Sequence, residues 1–196
     1  VEKWVASAEL TGTCGFSQKP AFSQQPGGYA DHVLVSHARY LVDIGDIPPV
    51  QAAPYACSGL TTYSALKKIP PQVLRDEKLV LIGAGGLGLM AIGLAKAMGS
   101  TGVIVIEPDE TKHAAAMQAG ALAVFNPRQD GYLAQVRQAA GGAVWAVIDC
   151  VGSSQTVQAG IDLLTKGGQL VQIGLFGGHI DLPTPSMALR AITYQG

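Results

Sequence analysis

Leu79-Val80-Leu81-Ile82-Gly83-Ala84-Gly85-Gly86-Leu87-Gly88 runs a short apolar segment into a glycine-rich turn. Four consecutive apolar residues suit a strand buried on both faces. A G-x-G-x-x-G spacing after such a strand, with an apolar helix predicted over 87–98, has the form of the first turn of a βαβ unit that binds a dinucleotide. Each glycine has its own task. Gly83 makes the tight turn, Gly85 lets a pyrophosphate approach the backbone, and Gly88 packs helix close to strand. The phosphates would meet free N–H groups, Gly86 among them, and the positive end of the helix dipole.

Downstream, strands are predicted over 103–106, 121–125, 144–148 and 170–173, and helices over 111–119, 132–140 and 156–165. Gly120, Asn126-Pro127, Gly141-Gly142 and Gly167-Gly168 punctuate them. Regular alternation with continuous apolar strands predicts an α/β fold, a doubly wound parallel sheet of Rossmann type. Glu107 ends the second strand, 24 positions after Gly83. A carboxylate there would accept from both adenosine ribose hydroxyls and repel a 2′-phosphate, which favours NAD over NADP. The alternative is a solvated strand-end acid. Asp109 and Glu110 read as helix first-turn acids.

Upstream the pattern is looser. Residues 1–28 read as loop, 29–36 and 39–44 as strands, and 52–68 as a helix that Pro70-Pro71 stops. With 48% hydrophobic and 14% charged residues among 196, the chain is not of the disordered class. Thirteen basic against fourteen acidic residues give a net charge of -1, so no basic field favours nucleic acid. Residues 79–95 are seventeen uncharged positions, five of them glycine, and fall short of the roughly 20 apolar residues a membrane span needs. Three widely spaced cysteines suggest no disulfide framework and a reducing, cytoplasmic setting. The chain starts at Val1 without a Met or a signal-peptide pattern, which hints at an internal piece of a longer protein.

Ala53-Pro54-Tyr55-Ala56-Cys57-Ser58-Gly59-Leu60-Thr61-Thr62-Tyr63, followed twenty residues later by the glycine turn and preceded by Gly27-Gly28-Tyr29-Ala30, resembles the zinc-dependent alcohol dehydrogenases of the medium-chain dehydrogenase/reductase superfamily. The resemblance covers roughly residues 26–196. It implies an oxidoreductase that moves hydride between an alcohol and NAD, with a small alcohol or carbonyl substrate and a homodimeric or homotetrameric parent. No nucleic acid or membrane partner is expected. It implies that Cys57 is a ligand of the catalytic zinc and that Thr61 packs on the nicotinamide ring, with Leu87 behind that ring. Glu107 matches the ribose-binding acid and Lys112 a basic residue near the same ribose. Cys150-Val151-Gly152 and Ile173-Gly174-Leu175 match segments that line the cofactor. By residue chemistry alone, Cys57 and Cys150 are equally readable as small buried apolar groups and Lys112 as a solvated helix lysine.

The sequence also departs from that family. The segments that supply its other zinc ligands and its proton relay do not occur here, so those ligands are expected outside this chain. Cys14 is either a loop thiol or a remnant of a structural-zinc lobe. His32, His37, His113 and His179 show no metal-ligand spacing. Residues 1–58 are expected to be the tail of a GroES-like catalytic domain. Residues 59–196 are expected to be the Rossmann domain, its last strand missing or incomplete and approached by 192–194. Phe176 and Ile180 would then be exposed beside an unpaired sheet edge and favour self-association. The competing readings are a zinc-independent quinone or enoyl reductase of the same superfamily, against which Cys57 and Glu107 argue, and a catalytically inert nucleotide-binding module.

Overall fold

The computed structural model describes residues 4–6, 32, 35 and 37–196. Cys14, the Gly27-Gly28-Tyr29-Ala30 segment, and most of the expected loop and strand before residue 37 lie outside the described residues. The chain divides into two compact units, Val1–Leu60 and Thr61–Gly196.

In the first unit, β1 (Trp4–Ala6), within the stretch expected as loop, pairs antiparallel with β2 (Leu41–Asp43). The strand expected over 39–44 is shorter because Ala38–Tyr40 forms a 3-10 turn. His37 Nδ1 caps that turn by accepting from the Arg39 amide at 3.0 Å. The single helix expected over 52–68 is three pieces: α1 (Pro49–Ala52), a 3-10 turn (Ala53–Ala56) and α2 (Ser58–Lys68). Pro54 lacks an amide hydrogen, and the Ser58 hydroxyl donates to the Pro54 carbonyl at 2.8 Å, so the chain is re-nucleated around Cys57. Pro71 stops nothing further: as a first-turn proline it opens a helix that the sequence reading did not anticipate, α3 (Pro71–Asp76).

The second unit is built on six parallel strands. They are β3 (Leu79–Ile82), β4 (Val103–Ile106), β5 (Ala123–Phe125), β6 (Ala146–Asp149), β7 (Gln169–Gln172) and β8 (Thr193–Gln195). Their order is β5-β4-β3-β6-β7-β8, so the winding reverses between β3 and β6. The connecting helices are α4 (Gly86–Ala97), α5 (His113–Ala119), α6 (Tyr132–Ala140), α7 (Ser154–Leu163) and α8 (Thr184–Arg190). Alternate strand side chains enter opposite cores. Leu79, Leu81, Val103, Val105 and Ile148 pack with Leu66, Leu74, Ile92 and Ala116 from α2 to α5. Val80, Ile82, Ile104, Val147 and Leu170 pack with Val136, Val157 and Ile161 from α6 and α7. Both faces are covered, as the continuous apolar strands require.

The stretch 192–194, expected as the approach to a further strand, leads into β8, which pairs with β7 in the register Gln169↔Thr193, Leu170↔Tyr194 and Val171↔Gln195. Two details differ from expectation. Ile180 is half-buried against the second core, whereas Phe176 is 84% exposed. Helix α4 is not covered all round: Ala91, Ile92 and Ala95 are buried while Gly93 and Lys96 face solvent.

Candidate functional site

The glycine turn lies at the carboxyl end of β3, beside the point where the strand order reverses. Crevices at such switch points are where open α/β sheets take ligands. Gly83, at φ +96°, adopts a backbone that other residues rarely reach. A Cβ on Gly88 would stand 2.0 Å from the Gly83 carbonyl oxygen, so Gly88 packs on the turn itself more than on the strand. A Cβ on Gly85 or Gly86 would meet nothing within 4 Å. Gly85 is the N-cap of α4 and makes no side-chain cap bond, so the first helix amides have no side-chain acceptor there. The turn thus separates into structural glycines, Gly83 and Gly88, and glycines facing open space, Gly85 and Gly86. A diphosphate fits over the latter pair.

Glu107 is buried, with 4% of its surface exposed. Its Oε2 accepts from the Ala84 amide at 2.7 Å, and its Oε1 accepts from the Asp109 amide at 2.9 Å. It is therefore not a solvated strand-end acid: it ties the end of β4 to the glycine turn. Lys112 Nζ lies 3.9 Å from Glu107 Oε1 and 3.5 Å from Asp109 Oδ2. Asp109 Oδ1 accepts from the Thr111 hydroxyl at 2.6 Å and the Thr111 amide at 3.1 Å. Those two bonds, with a lesser contribution from Lys112, hold the Asp109 carboxyl below the usual carboxylate range against the opposing effect of desolvation. His113 Nε2 is 2.8 Å from the Glu107 carbonyl.

A crevice of about 500 Å³ opens above these strand ends, lined among others by Ile82, Gly83, Pro108, Arg128, Tyr132 and Val151. Its apolar walls suit a flat ring and its Arg128 an anionic or π-rich group. The Val151-Gly152 and Gly174 segments hold its floor in place by direct backbone contact. A Cβ on Gly152, at φ +73°, would fall 1.9 Å from the Gly174 carbonyl oxygen, and one on Gly174 2.1 Å from the Val151 carbonyl carbon. Ile173 is half-buried, and Leu175 is 74% exposed. The residue behind this packing, which the sequence reading did not single out, is Asp149. Fully buried at the end of β6, its Oδ1 accepts from the Val151 and Gly152 amides at 2.8 and 3.0 Å, and its Oδ2 accepts from the Thr156 hydroxyl at 2.8 Å. Thr156 in turn completes a capping box with Ser153 at the start of α7. The signal was present: a lone acid closing the apolar run Ala146-Val147-Ile148, with a Ser-x-x-Thr pattern behind it.

Cys57 is exposed, and Thr61 is half-buried in the first turn of α2. Among the described residues no group of three His, Cys, Asp or Glu side chains could hold a metal. Cys57 is thus one donor, whereas a catalytic zinc takes three protein ligands. Cys150 packs against the first core, and burial, reinforced by the neighbouring Asp149 carboxylate, pushes its thiol up to about 12. Its segment lines the crevice through Val151, not through the thiol. A thiol raised in this way and packed into the core is scarcely ionised at pH 8, so iodoacetamide labelling mapped by mass spectrometry should modify the exposed Cys57 and leave Cys150 unmodified. Equal labelling of the two would mean that this core is open.

A family profile described as zinc-binding dehydrogenase matches residues 86–196. An NAD-dependent alcohol dehydrogenase of Sulfurisphaera tokodaii is 37% identical over 172 residues, covering 87% of this chain and 49% of that protein. One of Saccharolobus solfataricus is 36% identical over the same length and the same shares. Among solved structures, the alcohol dehydrogenase of Aeropyrum pernix superposes with a TM-score of 0.76 at 31% identity, covering 87% of this chain and 50% of that one. The chain spans about half the length of the curated relatives it matches. Among the described residues, no helix is long and apolar enough to cross a membrane.

Proposed function

The chain belongs to the zinc-binding dehydrogenase family, and from that premise we propose that its second unit holds NAD for the reversible oxidation of a small alcohol to an aldehyde or ketone. One observation carries the reading: the carboxylate of Glu107 is locked against the amide of Ala84, inside a glycine turn whose Gly85 and Gly86 face open space. That arrangement sets a diphosphate cradle and a ribose acceptor side by side on rigid backbone. When bound, NAD would accept or donate the hydride and zinc would polarise the alcohol oxygen as a Lewis acid.

The chain's own residues bind and orient. The α4 amides after Gly85 would hold the diphosphate, and Glu107 would keep a lone pair on each oxygen for the adenosine ribose hydroxyls, with Lys112 beside it. Val151 and Gly152, with Ile173-Gly174-Leu175, would line the cofactor, while Leu87 and Thr61 would fix the nicotinamide ring. Cys57 would serve as one thiolate ligand of the zinc, its fellow ligands lying outside the described residues. We assign 1–58 to a GroES-like domain, and the working form to a cytoplasmic homodimer or homotetramer.

Calorimetric titration of the 196-residue chain with NADH and NADPH tests the cofactor assignment. NADH should bind about tenfold or more tighter, because a carboxylate and a 2′-phosphate repel each other at close range. Glu107→Gln should weaken NADH and narrow the gap. Equal affinities of the unaltered chain for the two cofactors would sink the assignment.

A further inference from the structure

Lys112 poses a problem for cofactor discrimination. An ammonium at the ribose rim would welcome a 2′-phosphate, and its presence works against the selection that Glu107 provides. The geometry around it resolves the conflict. Asp109 Oδ1 is committed to the hydroxyl and amide of Thr111, which turns Oδ2 toward Lys112 at 3.5 Å. Glu107 Oε1 lies on the other side at 3.9 Å. The lysine is therefore shared between two carboxylates. Glu110 Oε1 accepts from the Asn126 side-chain amide at 2.9 Å, and Arg128 belongs to the crevice lining.

We infer that Asp109 is a specificity-determining residue: it holds Lys112 against Glu107, so that this cation beside the ribose acceptor is unavailable to a 2′-phosphate. The inference rests on the dinucleotide reading above and goes beyond it, because it assigns the discrimination to a three-residue charge arrangement. Asp109 acts through Lys112 as a positioning residue and is not proposed to touch the cofactor.

The variant Asp109→Asn isolates this effect. Asparagine caps a helical turn as well as aspartate does, and its carbonyl can keep the Thr111 amide bond, so the backbone should stand. What it removes is one negative charge and the hold on the lysine. Calorimetry of the 196-residue chain should show NADPH binding about five- to tenfold tighter in D109N, with NADH changed less than about twofold. Introduced into K112A, the same substitution should gain less than about twofold, because no cation remains to be released. The NADPH-to-NADH affinity ratio is the readout, and a merely structural defect would move both cofactors together.

Three results are decisive in the other direction. An unchanged ratio in D109N overturns the inference. A gain in D109N that persists in full in D109N/K112A also overturns it, since Asp109 would then act by simple repulsion. A folded chain that binds neither NADH nor NADPH removes the dinucleotide reading itself, and this inference with it.

Discussion

Gly85→Ala is expected to leave the fold standing and to weaken NADH binding by about tenfold or more, whereas Gly88→Ala should damage both. A Cβ on Gly85 meets nothing of the chain within 4 Å, and at φ -79° alanine is unstrained. The added methyl occupies only the space over the α4 amides that a diphosphate must enter. A Cβ on Gly88 falls 2.0 Å from the oxygen and 2.9 Å from the carbonyl carbon of Gly83. Both are backbone atoms that no rotamer change can move aside, so helix and turn must separate at a cost of roughly 1–3 kcal/mol or more. Thermal unfolding and NADH titration of the two variants, run in parallel, check this. Gly85→Ala should melt within about 2 °C of the unaltered chain, and Gly88→Ala several degrees lower. A Gly85 variant that binds NADH normally would mean that the turn does not hold the diphosphate.

The sheet was legible in the sequence because its strands are buried on both faces and carry no compromise. Val80, Leu81, Val105 and Ile148 have nowhere else to go, and Gly120 and Gly141, the C-caps of α5 and α6, mark where those helices end. Helix starts were less legible where a proline pair plays two parts: Pro70-Pro71 follows the end of α2 at Lys68, and Pro71 opens α3. Cys57 could be seen as a special position, yet the break in the helix around it could not, because that break depends on Pro54 and on a side-chain bond from Ser58. At the site, Glu107 was readable from its distance to Gly83. Its bond to Ala84 was not, since that bond exists only once β3 and β4 lie side by side in register. Asp149 escaped notice for a similar reason. An acid at a strand end is ordinarily solvated, and only the crossing of the β6 and β7 loops buries it.

That burial makes Asp149→Ala the most damaging single change expected away from the glycines. Removing the carboxylate orphans the amides of Val151 and Gly152, which it accepts from at 2.8 and 3.0 Å, and leaves the Thr156 hydroxyl only the Ser153 carbonyl, at 3.0 Å, to donate to. Each unsatisfied buried donor costs roughly 1–3 kcal/mol, so a total on the order of 3–5 kcal/mol is expected after partial relaxation. Asp149→Asn should cost less. Its carbonyl can keep the two amides, but its amide hydrogens face Thr156 Oγ1, which already accepts from the Ser153 amide at 2.9 Å. Thr156→Val removes the other end of the same contact along with the capping box, at roughly 1–2 kcal/mol. Because the two residues share a bond, the double variant should cost less than the two single costs added together, by at least about 0.5 kcal/mol. Urea unfolding of the four chains gives that coupling directly. A strictly additive cycle, or an Asp149→Ala chain within about 1 kcal/mol of the parent, would show that the carboxylate does not organise these loops. The consequence reaches the crevice through Val151, which lines it and whose Cγ2 atom stands 2.9 Å from where a Cβ on Gly83 would be. Loosening the Val151 turn therefore loosens the floor under the glycine loop, and NADH affinity should fall along with stability in Asp149→Asn, even though Asp149 is proposed to touch no part of the cofactor.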